Sequence, residues 1–139
     1  MRYIYLSGPM RGIKSANFPA FDFAAAKLRA QGFSVFSPAD NDRAICGWSS
    51  DYIPGDNELE VMCYNGTFTT RKCFLDDMMA ITQWADTVAV LRNHEKSSGV
   101  AAEVALAKAL GLNIIYLGND YHDETIGDAR ELAYRRESA

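Results

Sequence analysis

An open, doubly wound parallel α/β sheet is the fold class this sequence predicts, and three observations predict it. Apolar runs of strand length stand at residues 2–7, 33–37, 87–91 and 113–117. Apolar residues at spacings of three and four lie between the first two runs, before the third, and between the last two, so strands alternate with helices. The order β-α-β, insert, α-β-α-β calls for right-handed crossovers, which put helices on both faces of a sheet of four or five strands. The 139 residues suit a single domain, residues 1–139. A chain of that length buries about two-thirds of its unfolded surface without disulfides or metals.

The first strand, Arg2 to Ser7, is broken by Gly8, Pro9 and Gly12. Asn17 then caps a helix whose Phe18, Phe21, Ala24, Ala25 and Leu28 share one face, and Gly32 stops it. Phe33 to Ser37 is the second strand, ended by Pro38. Residues 39–70 interrupt the rhythm, with Pro54, Gly55 and Gly66 set among polar residues and the aromatics Trp48, Tyr52, Tyr64 and Phe68. So long a stretch in a compact domain is a functional lid or hides elements of its own, placed to cover a substrate or a neighbouring subunit. Helical spacing returns from Arg71 to Trp84 and leads into the strand Thr87 to Leu91. A helix then opens at the Ser97, Ser98, Gly99 turn, with Ser98 as its cap, and ends at Gly111 before the strand Asn113 to Leu117. Residues 123–136 form a last amphipathic helix with a thin core face.

Composition excludes several function classes. Lys and Arg number 14 against 18 Asp and Glu, a formal charge of -4 with no basic run, which excludes polymeric nucleic acid as a partner. Cys46, Cys63 and Cys73 lack Cys-x-x-Cys spacing, and only His94 and His122 could assist them, so no metal is expected and the thiols read as reduced and cytoplasmic. The N-terminal apolar run turns polar too soon for a signal segment, and none reaches membrane-spanning length, so no membrane partner is expected.

In such folds ligands bind at the carboxyl ends of the strands. After the first strand, Ser7, Gly8, Pro9, Met10, Arg11 and Gly12 combine close backbone approach with a guanidinium that can grip an anion. This is neither Gly-x-Gly-x-x-Gly nor a P-loop, and a small phosphate ester suits it better than a dinucleotide. After the third strand, Ser97, Ser98 and Gly99 offer hydroxyls and amides at a helix start. One turn into that helix stands Glu103, among Ala101, Ala102, Val104 and Ala105. Alone it reads either as a solvated glutamate favoured by the helix dipole, by up to about 1 kcal/mol, or as an active-site carboxylate. Asp77 lies four and seven residues before Ile81 and Trp84, which puts it on the packing face, whereas its neighbour Asp76 sits beside Ala80 and Gln83. Asp86 reads as a structural residue at the helix-to-strand junction. Two carboxylates flanking a sugar form the arrangement that breaks a glycosidic bond. No nucleophile motif accompanies either histidine.

Tyr5-Leu-Ser-Gly-Pro-Met-Arg-Gly12, Asn17-Phe-Pro-Ala-Phe21, the helix of Asp77 ending in Ala85-Asp86, and Ser98-Gly-Val-Ala-Ala-Glu103 together resemble the nucleoside 2-deoxyribosyltransferase superfamily. The nearest likeness is to its compact branch in phages and bacteria, over residues 1–40 and 71–117. The resemblance implies a cytosolic flavodoxin-like (Rossmann-like) α/β protein that forms homodimers or larger homo-oligomers with shared active sites. It implies Glu103 as the nucleophile that forms a sugar adduct, Asp77 as the acid that assists the base, and Tyr5 as the residue that orients Glu103. Residues 8–12 with Arg11, and Ser97 or Ser98, would seat a 5′-monophosphate. The expected reaction is N-glycosidic cleavage of a nucleoside or deoxynucleoside monophosphate without metal or redox cofactor. The alternatives are base exchange by a deoxyribosyltransferase and a non-catalytic nucleotide-binding module. Three features are the chain's own: Asp77 stands nine positions before Asp86, the loop after Leu91 reads Arg-Asn-His-Glu-Lys, and residues 39–70 are extra, leaving base recognition to them.

Overall fold

The computed structural model of the protein describes residues 1–64 and 67–123. Its strands are β1 (Tyr3–Ser7), β2 (Ser34–Phe36), β3 (Thr87–Val90) and β4 (Asn113–Tyr116). Its α-helices are α1 (Phe18–Ala30), α2 (Pro38–Cys46), α3 (Thr67–Gln83) and α4 (Ser98–Leu110). All strand pairs are parallel, in the order β2-β1-β3-β4. The open parallel α/β sheet expected from the sequence is therefore the observed fold.

The two-residue period of the strands decides which helix covers which face. Ile4 and Leu6 of β1 pack with Phe18, Phe21, Ala24 and Leu28 of α1 on one side. Tyr5, Val88 and Val90 pack with Ile81 of α3 and with Val100 and Ala107 of α4 on the other. Because β2 leaves β1 on one side and β3 on the opposite side, the winding reverses between β1 and β3. The crevice outside their carboxyl ends is where such sheets bind ligands.

Several local expectations change. The stretch after Pro38 is not irregular throughout: α2 occupies Pro38–Cys46, with proline in its first turn, and a π-helical turn spans Glu60–Tyr64. Helix α3 begins at Thr67 rather than Arg71. Asn17 sits at the start of α1 in a left-handed conformation (φ 64°) after Ser15 and Ala16, also left-handed. Its side chain caps nothing and donates instead to the Pro9 carbonyl (2.9 Å), tying helix to loop. Ser97, not Ser98, caps α4, its Oγ accepting from the Val100 amide at 3.2 Å. Cys46 is disulfide-bonded, against the expectation of three reduced thiols, whereas Cys73 is free and buried. Asp86 is structural as expected, accepting from the amides of Arg2 and Tyr3 at 3.0 Å each. The helix expected at 123–136 lies, beyond Asp123, outside the described residues. Among the described residues no helix is long and apolar enough to cross a membrane.

Candidate active site

Glu103 is 8 % exposed although it stands in the second turn of α4, because Val100, Glu103 and Ala107 form the stripe that faces the sheet. A carboxylate there needs donors, and β1 supplies them. Tyr5 and Ser7 are two residues apart, hence on one face of the sheet, the face α4 covers. The Tyr5 hydroxyl donates to Glu103 Oε2, and the Ser7 hydroxyl donates to Oε1 at 2.7 Å. The Tyr5 ring is itself held by stacking on Phe36, 5.5 Å between centroids. Both oxygens of Glu103 are thus fixed by side chains that are fully buried.

Glu103 opens onto a cavity of about 290 Å³ at the carboxyl ends of the strands. Gly8, Pro9, Met10 and Arg11 form one part of its wall, and Ser97, Ser98 and Gly99 another. Asp77 of α3 joins them. The sequence-predicted groups therefore share one cavity, with three exceptions. Tyr5 and Ser7 stand behind Glu103 rather than on the wall, and Gly12 gives its amide to Glu60 Oε1 at 2.9 Å. Gly8 could be nothing larger, since a Cβ there would lie 2.7 Å from Leu91 Cδ1 and 3.0 Å from its Cβ.

The structure adds residues that sequence reasoning missed. Asp42 of α2 lines the cavity at 2 % exposure, with Cys73 and Phe74 of α3 and with Asn93 and Lys96 of the loop after β3. Asp42 was hidden because Pro-Ala-Asp-Asn-Asp reads as a loop. The signal available was Pro38 as a first-turn proline, which places Asp42 three residues after the buried Ala39 on one helix face. Glu60 and Asp56 were also missed, and Asp56 accepts from the Ser15 amide at 3.2 Å. The insert thus docks on the loop that follows β1. Arg43 ties α2 to α1 through Asp22 at 2.7 Å and lies 4.8 Å over the Phe18 ring.

Burial sets the protonation of this cavity. It pushes Asp77 up to about 9, reinforced by the negative charges of Glu103, Asp42 and Asp76 and opposed by the Tyr5 hydroxyl. Burial also raises Glu103 to about 7, while hydrogen bonds from Tyr5 and Ser7 pull it down. Asp42 rises to about 7 for the same reason, against a hydrogen bond from Cys73. Among the described residues Glu103 has two donors and Asp77 Oδ1 has none, so Glu103 takes the negative charge first and Asp77 keeps its proton. One ionised and one neutral carboxyl on a shared cavity is the division of labour that acid-base pairs require. Among the described residues no group of three or more His, Cys, Asp or Glu side chains is arranged to hold a metal ion.

No curated protein and no solved structure matches the chain. A family model does, the domain of unknown function DUF4406, over residues 2–116. With that share of its length matched, the chain belongs to the DUF4406 family.

Proposed function

We propose that the protein cleaves the N-glycosidic bond of a nucleoside 5′-monophosphate, as its resemblance to the nucleoside 2-deoxyribosyltransferase superfamily implies. The observation that carries this reading is Glu103, held at both oxygens by Tyr5 and Ser7, sharing a cavity with Asp77, whose carboxyl burial pushes up to about 9. Glu103 attacks the anomeric carbon as the bond to the base breaks and its electron pair leaves with the base nitrogen, which takes the Asp77 proton. Water then attacks the same carbon, the ester to Glu103 breaks, and the water proton returns to Asp77. Arg11, the backbone amides of Gly8, Met10 and Arg11 and the Ser97–Gly99 turn supply donors and positive charge for the phosphate.

Base exchange differs only in the acceptor, a second base in place of water. Exposed Phe74, Leu75 and Met79 on α3 support the expected homo-oligomer, since Phe74 also lines the cavity. The test is incubation with a panel of nucleosides and monophosphates, followed by chromatography for free base. Release that falls at least about 1,000-fold in Glu103→Ala is the expected result, in line with removal of a covalent nucleophile. No release, or equal release by the variant, leaves only the binding-module reading, and a new nucleoside formed when a second base is added shows transfer.

A further inference from the structure

Two carboxyl oxygens that belong to the cavity residues, Oδ1 of Asp42 and Oδ1 of Asp77, are buried with no hydrogen-bond partner among the described residues. Asp77 has a task in the proposed cleavage and Asp42 has none. Asp42 comes from α2, outside the elements that carry the resemblance, and at 2 % exposure it is almost completely removed from solvent. The Cys73 thiol hydrogen-bonds to its carboxyl, yet Oδ1 stays unsatisfied. Leaving such a group unpaired is costly, and for the ionised carboxyl a ligand N–H removes that cost and a ligand carbonyl does not. The ionised carboxyl accepts at both oxygens and donates from neither, so in that form the demand is for a donor.

The position of Asp42 suggests which N–H. Its contact is with Cys73, four residues and hence one turn of α3 before Asp77. One turn is about 5.4 Å along the axis. That offset matches the reach of a nucleobase from its glycosidic nitrogen, where Asp77 acts, to its far edge, where exocyclic groups sit.

We propose that Asp42 is a specificity-determining residue that accepts a hydrogen bond from the exocyclic amino group of the base, so that adenine and cytosine are taken ahead of hypoxanthine and uracil. The inference rests on the nucleotide reading of this same cavity. A keto oxygen turned toward ionised Asp42 meets another acceptor, whereas an amino group fills the vacancy. The neutral form carries one O–H and one acceptor oxygen and pairs with either edge, so the preference belongs to the ionised form.

The experiment compares matched pairs at pH 8, where Asp42 is ionised: dAMP with dIMP and dCMP with dUMP, together with their ribonucleotide counterparts. The unmodified protein is expected to favour the amino member of each pair by at least about tenfold in kcat/KM, as a site built around one hydrogen bond does. Asp42→Asn can present either N–H or C=O, so its preference should fall below about threefold while base release persists. Equal use of both members by the unmodified protein overturns the inference and leaves the cleavage reading standing. A preference retained in Asp42→Asn overturns it too. If no pair releases base, the cleavage reading has failed on its own, and calorimetric titration of the unmodified protein decides. Tenfold tighter binding of dAMP than dIMP then supports the inference, and equal or absent binding overturns it.

Discussion

Tyr5→Phe isolates the hydrogen bond that holds Glu103 ionised. The ring is fully buried and stacked on Phe36, and phenylalanine keeps both features, so only the hydroxyl disappears. Glu103 Oε2 then loses its donor at a position 8 % exposed, where water cannot freely replace it. A hydrogen bond to a charged group is worth about 1.5–3 kcal/mol. At about 1.36 kcal/mol per pKa unit, Glu103 rises by about one to two units. Glu103 stands at about 7 and Asp77 at about 9, so the unmodified protein should show a bell-shaped kcat/KM between those limits. The limits belong to the coupled cluster rather than to single residues. In Tyr5→Phe the acid limb moves up toward the alkaline limb. At pH 6 the rate falls about 10- to 100-fold, and at pH 8 about two- to tenfold, both from the same pKa rise. Initial rates of base release from pH 5 to pH 10, with thermal unfolding as a control for folding, measure this. A uniform loss at all pH values, with the acid limb unmoved, would refute the role given to Tyr5.

Three further outcomes test other parts of the site. Arg11→Ala should raise KM for a nucleoside monophosphate by about 10- to 100-fold, the worth of one charge-assisted contact, and leave the matching nucleoside nearly unchanged; equal losses on both would remove phosphate from the reading. Asp77→Asn should abolish base release yet stabilise the fold. Its pKa of about 9 against an ordinary 3.8 means the native state holds a proton that the unfolded chain has released, so stability falls as pH rises between those values. From pH 3.8 to pH 7 the linkage amounts to about 4 kcal/mol, so the substitution should raise Tm by roughly 10–15 °C at pH 7 and by nothing below pH 4, at about 2–4 °C per kcal/mol; calorimetry at both pH values checks the sign. Gly8→Ala should destabilise by about 1–3 kcal/mol, because Leu91 is itself buried and cannot withdraw from the added methyl. Urea unfolding reads that loss, and a neutral result would mean the loop after β1 is looser than its contacts imply.

Local pattern in the chain determined the sheet, its parallel sense and the loops that carry the cavity. The apolar run Thr87 to Val90 admits only a strand buried on both faces, and Gly32 and Gly111 mark helix ends without reference to anything distant. Period alone also put Asp77 on the packing side of α3. The strand order β2-β1-β3-β4 and the convergence of α2, α3 and α4 on one cavity are tertiary facts, because they join residues tens of positions apart whose attraction leaves no local periodicity. Tyr5 and Ser7 look like ordinary strand residues until α4 is laid across them, and Asp42 looks like loop until α2 buries it. Glu103 could be read as a solvated or an active-site acid from its neighbours in sequence. Packing against the sheet decided between burial and exposure, since only there does an acid in a small-residue stripe meet two hydroxyls that make its burial tolerable.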